Sequence, residues 1–166
     1  RAPGRMLVWV PEKPPAPPEP KDATVALLAT PSASHTWQAD HILALNDGVL
    51  PKSSGDHDIP RFTWWDHRGT TEWAQLTFAQ PQRLTKAEVY WFDDTGRGSC
   101  RVPNSWRILW LDGKEWRPVE AASPYGLEKD RLNPVAFQPV TTQALRLEVQ
   151  LQPGVSGGIL EWRLPE

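Results

Sequence analysis

The chain has 166 residues, 18 Lys+Arg against 20 Asp+Glu, and a net charge of −2. That is one domain's worth of sequence, and so even a charge balance excludes a dedicated nucleic-acid binder, which would be basic. No apolar run reaches the ~18 residues of a membrane span, and Cys100, the single cysteine, allows neither an internal disulfide nor a cysteine-built zinc site.

The chain opens at Arg1 without a Met, which suggests a piece of something longer. Met6-Leu7-Val8-Trp9-Val10 predicts one strand with no neighbour in sequence to pair with, the end of an upstream domain spanning 1–10. Residues 11–20, PEKPPAPPEP, hold six prolines and predict a semi-rigid polyproline-II linker over 11–22. The domain proper is expected over 23–166. There, short apolar runs are separated by turn residues, and no segment of helical length keeps a 3.6-residue apolar period.

Thr24–Ala29 predicts a first strand. Glu72–Phe78 and Leu84–Phe92 follow as two more. Trp106–Leu111, an Asp112-Gly113 turn and Glu115–Val119 read as a hairpin. Pro134–Val140 comes next, then Ala144–Leu151. In the latter Leu145, Leu147, Val149 and Leu151 share one face, and Arg146, Glu148 and Gln150 the other. Gly158–Leu164 closes the set, with Glu161 expected on the face of Ile159 and Arg163. The fold class read from this is all-β, an antiparallel β-sandwich. The long loops 30–71, 93–104 and 120–133 are where function is expected.

Trp occurs 10 times and Pro 18 times. A domain this small cannot bury every indole, so some Trp faces are available to stack on flat ligands. Trp73, Trp106, Trp110, Trp116 and Trp162 lie on strands and read as core or cover. Trp37 is not assigned by its neighbours.

The loop Asp93-Asp94-Thr95-Gly96-Arg97-Gly98-Ser99-Cys100-Arg101 places carboxylates and guanidiniums among glycines. Planar polar groups of this kind bridge adjacent sugar hydroxyls, so Asp93, Asp94, Arg97 and Arg101 are candidate ligand contacts. The same residues also suit an ion-pair network that only shapes the loop. Phe62–Gly69 adds adjacent Trp64 and Trp65, which in extended chain point to opposite sides, and His67, a possible donor to a hydroxyl. Tyr125, in a Ser-Pro-Tyr-Gly turn, is a candidate exposed aromatic. Arg101 beside Cys100 would lower the thiol pKa. Neither a nucleophile elbow nor a Walker loop is present, and no catalytic residue is assigned.

Seven segments, in order over about 23–164, resemble the galactose-binding-like β-sandwich, also called the discoidin or coagulation factor five/eight C-type domain. They are Ser32-Ala33-Ser34, Ala44–Gly48, Phe62–Trp65, Glu72–Leu76, Ser105–Ile108 with Leu111–Gly113 and Trp116, Leu145–Leu147 and Ile159–Trp162. The resemblance implies a jelly-roll sandwich of the kind found as carbohydrate-binding modules on glycoside hydrolases. It implies Trp65 at a core position, which leaves Trp64 the freer indole. It also implies a structural Ca²⁺ between the early loop and the last strand, with carboxylates from Asp47 and Glu161 and a carbonyl from Leu45. Arg1–Met6 with Val8-Trp9 resembles the last strand of bacterial β-L-arabinofuranosidases. That implies a module detached from a secreted or periplasmic bacterial hydrolase, with the catalytic domain upstream.

The function expected is therefore non-catalytic binding of polysaccharide, arabinose- or galactose-containing glycans first, by a module monomeric in isolation. The alternative is a structural module that packs on the catalytic domain without glycan affinity. An enzyme, or a donor of residues to the parent active site, is a third class. Phospholipid binding, which wants apolar loop tips with basic flanks, is disfavoured by Asp56-His57-Asp58 and Asp93-Asp94.

Overall fold

The structure is a computed structural model and describes residues 24–166. The remnant strand at 1–10, the linker at 11–22 and the arabinofuranosidase resemblance lie outside the described residues. Strands β1 (Thr30–Ala33), β2 (Phe62–Thr63), β3 (Thr71–Phe92), β4 (Ser105–Asp112), β5 (Glu115–Pro118), β6 (Leu132–Gln150) and β7 (Gly158–Arg163) pair antiparallel in the order β2-β7-β3-β6-β4-β5, with β1 on β3. The result is the expected all-β sandwich.

Two differences from the sequence reading have one origin. The segments 72–78 and 84–92 form one strand, and so do 134–140 and 144–151. β3 and β6 run side by side through both layers, with register shifts between Thr77 and Gln82 and between Leu84 and Lys86. The first half of β3 carries β1, the second half of β6 carries β4, and the far half of β3 carries β7. Pro81 and the surrounding polar residues read as a turn, but they sit where the paired ribbon bends.

The bend also switches faces. Ala74, Leu76 and Phe78 point into the core from the first half, and Ala87, Val89 and Trp91 from the second. Tyr90 and Phe92 therefore face outward, where they form a smaller cluster with Cys100 and Leu160, covered by Ile59 and Trp65. That outer cluster is the floor on which two loops meet.

Val25–Leu28 is a 3₁₀ turn, not the expected first strand, which starts at Thr30. Asn46 explains the difference: its Nδ2 donates to the carbonyls of Ala26, 2.7 Å, and Ala29, 3.0 Å, and pins that turn to the following loop. β7 carries a second irregularity, where Tyr90 pairs with Glu161 but Trp91 with Ile159. The shift moves Ile159 into the main core with Trp162 and Leu164, so Glu161 does not share its face as simple alternation predicts.

Tyr125 belongs to the core side and is corrected as an exposed loop aromatic. Its hydroxyl accepts from Ile108 N at 3.1 Å, and its ring meets Trp106 edge-on at 4.9 Å. The indole N–H groups of Trp91 and Trp106 both donate to Gly126 O, at 3.2 and 2.9 Å. On the outer face of the other layer, Arg146 lies between Trp73 and Trp116, 4.1 and 4.2 Å from their ring centres. Gln75 Oε1 accepts from it at 3.0 and 2.7 Å, so these tryptophans cover the sheet around a satisfied cation.

Candidate functional site

A cleft of about 250 Å³ opens over the outer cluster, lined by Trp37, Arg61, Thr63, Trp65, Phe92, Asp94, Gly98, Ser99 and Cys100. Phe92, at the end of β3, is its floor. Trp37 and Trp65 come from the long loop before β3, and Asp94 to Cys100 from the loop after it. The two loops are tied where Asp93 N, at the start of the second, donates to Ser54 O in the first at 2.9 Å. Cys100 also bridges to Ser156 ahead of β7.

Arg61 is the polar centre. Its Nε donates to Asp40 Oδ1 at 3.1 Å, and the Asp40 side chain is only 1% exposed. The other Asp40 oxygen accepts from the Thr63 hydroxyl. Among the described residues Nε alone of this guanidinium has a hydrogen-bond partner. The group lies 5.7 Å from the Trp37 ring centre and 5.4 Å from that of Phe92, close enough for cation–π attraction. Fixed in this way, it presents its terminal N–H donors at the cleft.

Asp94 supplies an acceptor. Cys100 N donates to its Oδ1 at 2.8 Å, and Arg101 Nη1 stands 3.6 Å away. A Cβ on residue 98 would lie 2.1 Å from Asp94 Oδ2, so Gly98 leaves the space the carboxylate fills. The site thus combines aromatic walls with a planar donor and a carboxylate acceptor.

The adjacent tryptophans are reversed from expectation. Trp64 is 0% exposed, donates to Trp73 O at 3.2 Å and meets Phe62 edge-on. It is core and cannot face a ligand, while Trp65 lines the cleft with Arg68 4.5 Å from its ring centre. His67 stands behind this wall. Its Nδ1 pairs with Glu72, and its ring stacks at 3.8 Å on His35, whose Nε2 lies 2.8 Å from Trp65 O. His67 therefore braces the Trp65 loop and does not line the cleft.

The acidic loop divides by role. Asp93 is buried and accepts from Thr95 N at 3.1 Å and Val102 N at 3.0 Å. Burial pushes its pKa up, but the donors of Thr95 and Val102, with Lys129 nearby, outweigh it and hold it below normal. Arg101 Nη1 donates to Gly98 O at 2.9 Å and Cys100 O at 2.7 Å. Asp93 and Arg101 thus shape the loop, as the ion-pair alternative has it. Arg97 is exposed and outside the cleft wall. Of the seven residues proposed from sequence, Asp94 alone lines the cleft. Trp37, Asp40, Arg61 and Phe92 were missed.

Cys100 is a wall, not a nucleophile. Burial, then the carboxylates of Asp94 and Asp40, push its thiol up to about 12, against the weaker pull of Arg61 and Arg101. The lowering expected from Arg101 is overturned by that burial.

A second site joins the early loop to β7. Glu161 is 1% exposed, and its Oε2 has no partner. Burial first, then the Asp47 carboxylate, push its pKa up to about 8. Asp47 is itself raised by burial, against donation from Val49 N at 2.9 Å. Two facing carboxylates, one with an orphaned oxygen, make a donor set that suits a hard cation completed by backbone carbonyls. Leu45 ends the 3₁₀ turn Ile42–Leu45 just before Asp47. Its side chain is core, so only its carbonyl is available. Among the described residues no group of three or more His, Cys, Asp or Glu forms a metal cluster, and no helix is long and apolar enough to cross a membrane.

No family model matches the chain. Its fold is found in solved structures. A structure of the β-galactosidase BgaA from Streptococcus pneumoniae matches with TM-score 0.70 and 20% identity, over 84% of this chain and 92% of that one. The family 32 carbohydrate-binding module of Clostridium perfringens NanJ, in complex with galactose, matches with TM-score 0.63 and 12% identity, over 84% and 94%. A further C. perfringens family 32 module, in complex with GalNAc-β-1,3-galactose, matches with TM-score 0.63 and 11% identity, over 87% and 100%. The chain has the galactose-binding-like β-sandwich fold that these carbohydrate-binding modules share.

Proposed function

We propose that this chain is a non-catalytic carbohydrate-binding module. The observation that carries the reading is the cleft in which Trp37, Trp65 and Phe92 surround Arg61 and Asp94. A sugar ring offers an apolar C–H face to an indole and vicinal hydroxyls to planar polar groups. Arg61 donates to such hydroxyls, and Asp94 accepts from them. Arabinose- or galactose-containing plant-type glycans are the ligands we expect. The Pro-rich residues 11–20 support a tethered module; that its partner is a hydrolase acting outside the bacterial cytoplasm is what the sequence resemblance implies. Tethering raises the effective substrate concentration even when the module's own affinity is weak.

A Ca²⁺ held by Asp47, Glu161 and the Leu45 carbonyl completes the proposal. It would neutralise facing carboxylates and fasten the early loop to the last strand. Its role is structural, since the cleft is lined by neither carboxylate.

Affinity gel electrophoresis tests the reading, with arabinan, arabinogalactan, galactan, rhamnogalacturonan and xylan in the gel. Retardation by at least one polymer, abolished by Arg61→Ala and by Trp65→Ala, is expected. Absence of retardation by all of them, with the chain folded, would refute the reading and leave a packing module in its place.

A further inference from the structure

A second cleft, of about 340 Å³, lies beside the first and is lined by Ala39, Asp40, His41, His57, Asp58, Ile59, Pro60 and Arg61. Arg61 is common to both. The partition between them is the Arg61–Asp40 pair, with the edge-on contact of His57 and Phe92 at 5.6 Å. Asp40 N donates to Trp37 O at 2.9 Å, and His41 N to Arg61 O at 3.1 Å, so one stretch of backbone frames both openings. The first cleft alone falls short of the ~300–1,000 Å³ usual for a ligand pocket, and the two together fall within it.

We propose that the second cleft is a subsite for the sugar residue adjoining the one in the first cleft, with Arg61 contacting both. This rests on the carbohydrate reading of the first cleft. The lining defines the chemistry. His57 Nδ1 lies 2.6 Å from the Gly55 carbonyl and is committed to it. That leaves Nε2, an acceptor in the neutral ring, for a ligand. Asp58 is exposed, and its carboxylate adds acceptors without a partner among the described residues. The Asp40 carboxylate is already taken by Arg61 and Thr63. The second cleft therefore asks for donors, which sugar hydroxyls or amine and amide N–H groups supply. It is unsuited to a carboxylate, because Asp40, Asp58 and Asp94 line the two clefts against the single guanidinium of Arg61. The ligand class is a glycan of at least two residues in which the second is neutral or amino-substituted, not a uronate.

Calorimetric titration tests this at neutral pH with galactose and β-1,4-galactobiose, arabinose and α-1,5-arabinobiose, glucosamine and chitosan dimer, and digalacturonate. The disaccharide of the accepted sugar should bind about tenfold tighter than its monosaccharide, as expected when one further charged hydrogen bond is made. Asp58→Ala should erase most of that gain and leave monosaccharide affinity unchanged, and His57→Ala should also erase most of it. Asp58 is at the surface, so its variant tests the subsite even if His57→Ala disturbs the loop. Equal affinity for mono- and disaccharide, gains that survive both variants, or preferred binding of digalacturonate would each overturn the subsite while the first cleft stands. Failure of every saccharide to bind would overturn both.

Discussion

Glu161 makes the sharpest test of how β7 and the early loop are held together. With calcium chelated, its carboxyl is buried, faces Asp47, and is raised from 4.5 to about 8. Each tenfold in proton affinity is ~1.4 kcal/mol, so the shift corresponds to ~5 kcal/mol, a ceiling if water reaches the site. The folded pKa is above the unfolded one. The contribution is therefore fully present below pH 4.5 and lost as pH rises through about 8. Thermal unfolding in chelator should show Tm falling across that window, by on the order of 10 °C for the full effect in a domain of this size. Glu161→Gln has no proton to lose, and its Tm should stay higher at pH 8. Subtracting the two curves removes every group they share. Calcium should reverse the sign for the native chain, because the ion binds the ionised carboxylates, and leave Glu161→Gln unmoved. A native Tm that rises between pH 5 and 8 in chelator, or a Gln variant less stable at pH 8 under the same conditions, would refute the reasoning.

The two adjacent tryptophans should separate stability from binding. Trp64→Ala removes a fully buried indole and should cost ~3–5 kcal/mol, read from urea unfolding. Trp65→Ala should cost ~1–2 kcal/mol and abolish retardation in polysaccharide gels, because its ring is a cleft wall. Gly98→Ala would put a methyl 2.1 Å from Asp94 Oδ2. Displacing that acceptor should weaken binding ~10-fold or more in calorimetry, and unchanged affinity would show that Asp94 makes no ligand contact. The Cys100 thiol, pushed up to about 12, should resist a disulfide exchange reagent at pH 8 in the native state and react fully in denaturant. Rapid native labelling would contradict its burial.

The strands were legible because alternation along them is strong: Leu145, Leu147 and Val149 face one way throughout β6, as their spacing predicts. The continuity of β3 through Pro81 was not. That proline lies where Thr77 and Gln82 bracket a register shift, and single-chain periodicity cannot tell a bend in a paired ribbon from the end of a strand. The Trp64/Trp65 reversal has the same character. Opposite sides were readable from extended backbone, but which side is the core depends on the pairing of Phe62 and Thr63 with β7. The cleft was least legible, since Trp37, Arg61 and Phe92 are separated by 24 and 31 positions. One signal was available and unused: Arg61 and Asp40 are opposite charges in the loop already singled out for function.

That pair also explains why the site lies where it does. An ion pair with Asp40 almost wholly enclosed and Arg61 27% exposed is a weak source of stability, because desolvation offsets most of the attraction. Its effect is positional. Asp40 is itself held by Thr63, whose strand pairs with β7, and by its own N–H on Trp37 O. Order passes from the sheet through Thr63 to Asp40 and then to the guanidinium at the junction of the two clefts. Arg117, exposed and paired only with the side chains of Asp112 and Glu115, has no such support. A lysine at 61 could keep the charge, but not a donor on Asp40 together with planar donors for a ligand. Arg61→Lys should therefore bind glycan nearly as poorly as Arg61→Ala while unfolding at a temperature closer to the native chain. Native-like retardation by the lysine variant would show that charge, not the fixed plane, is what the cleft requires.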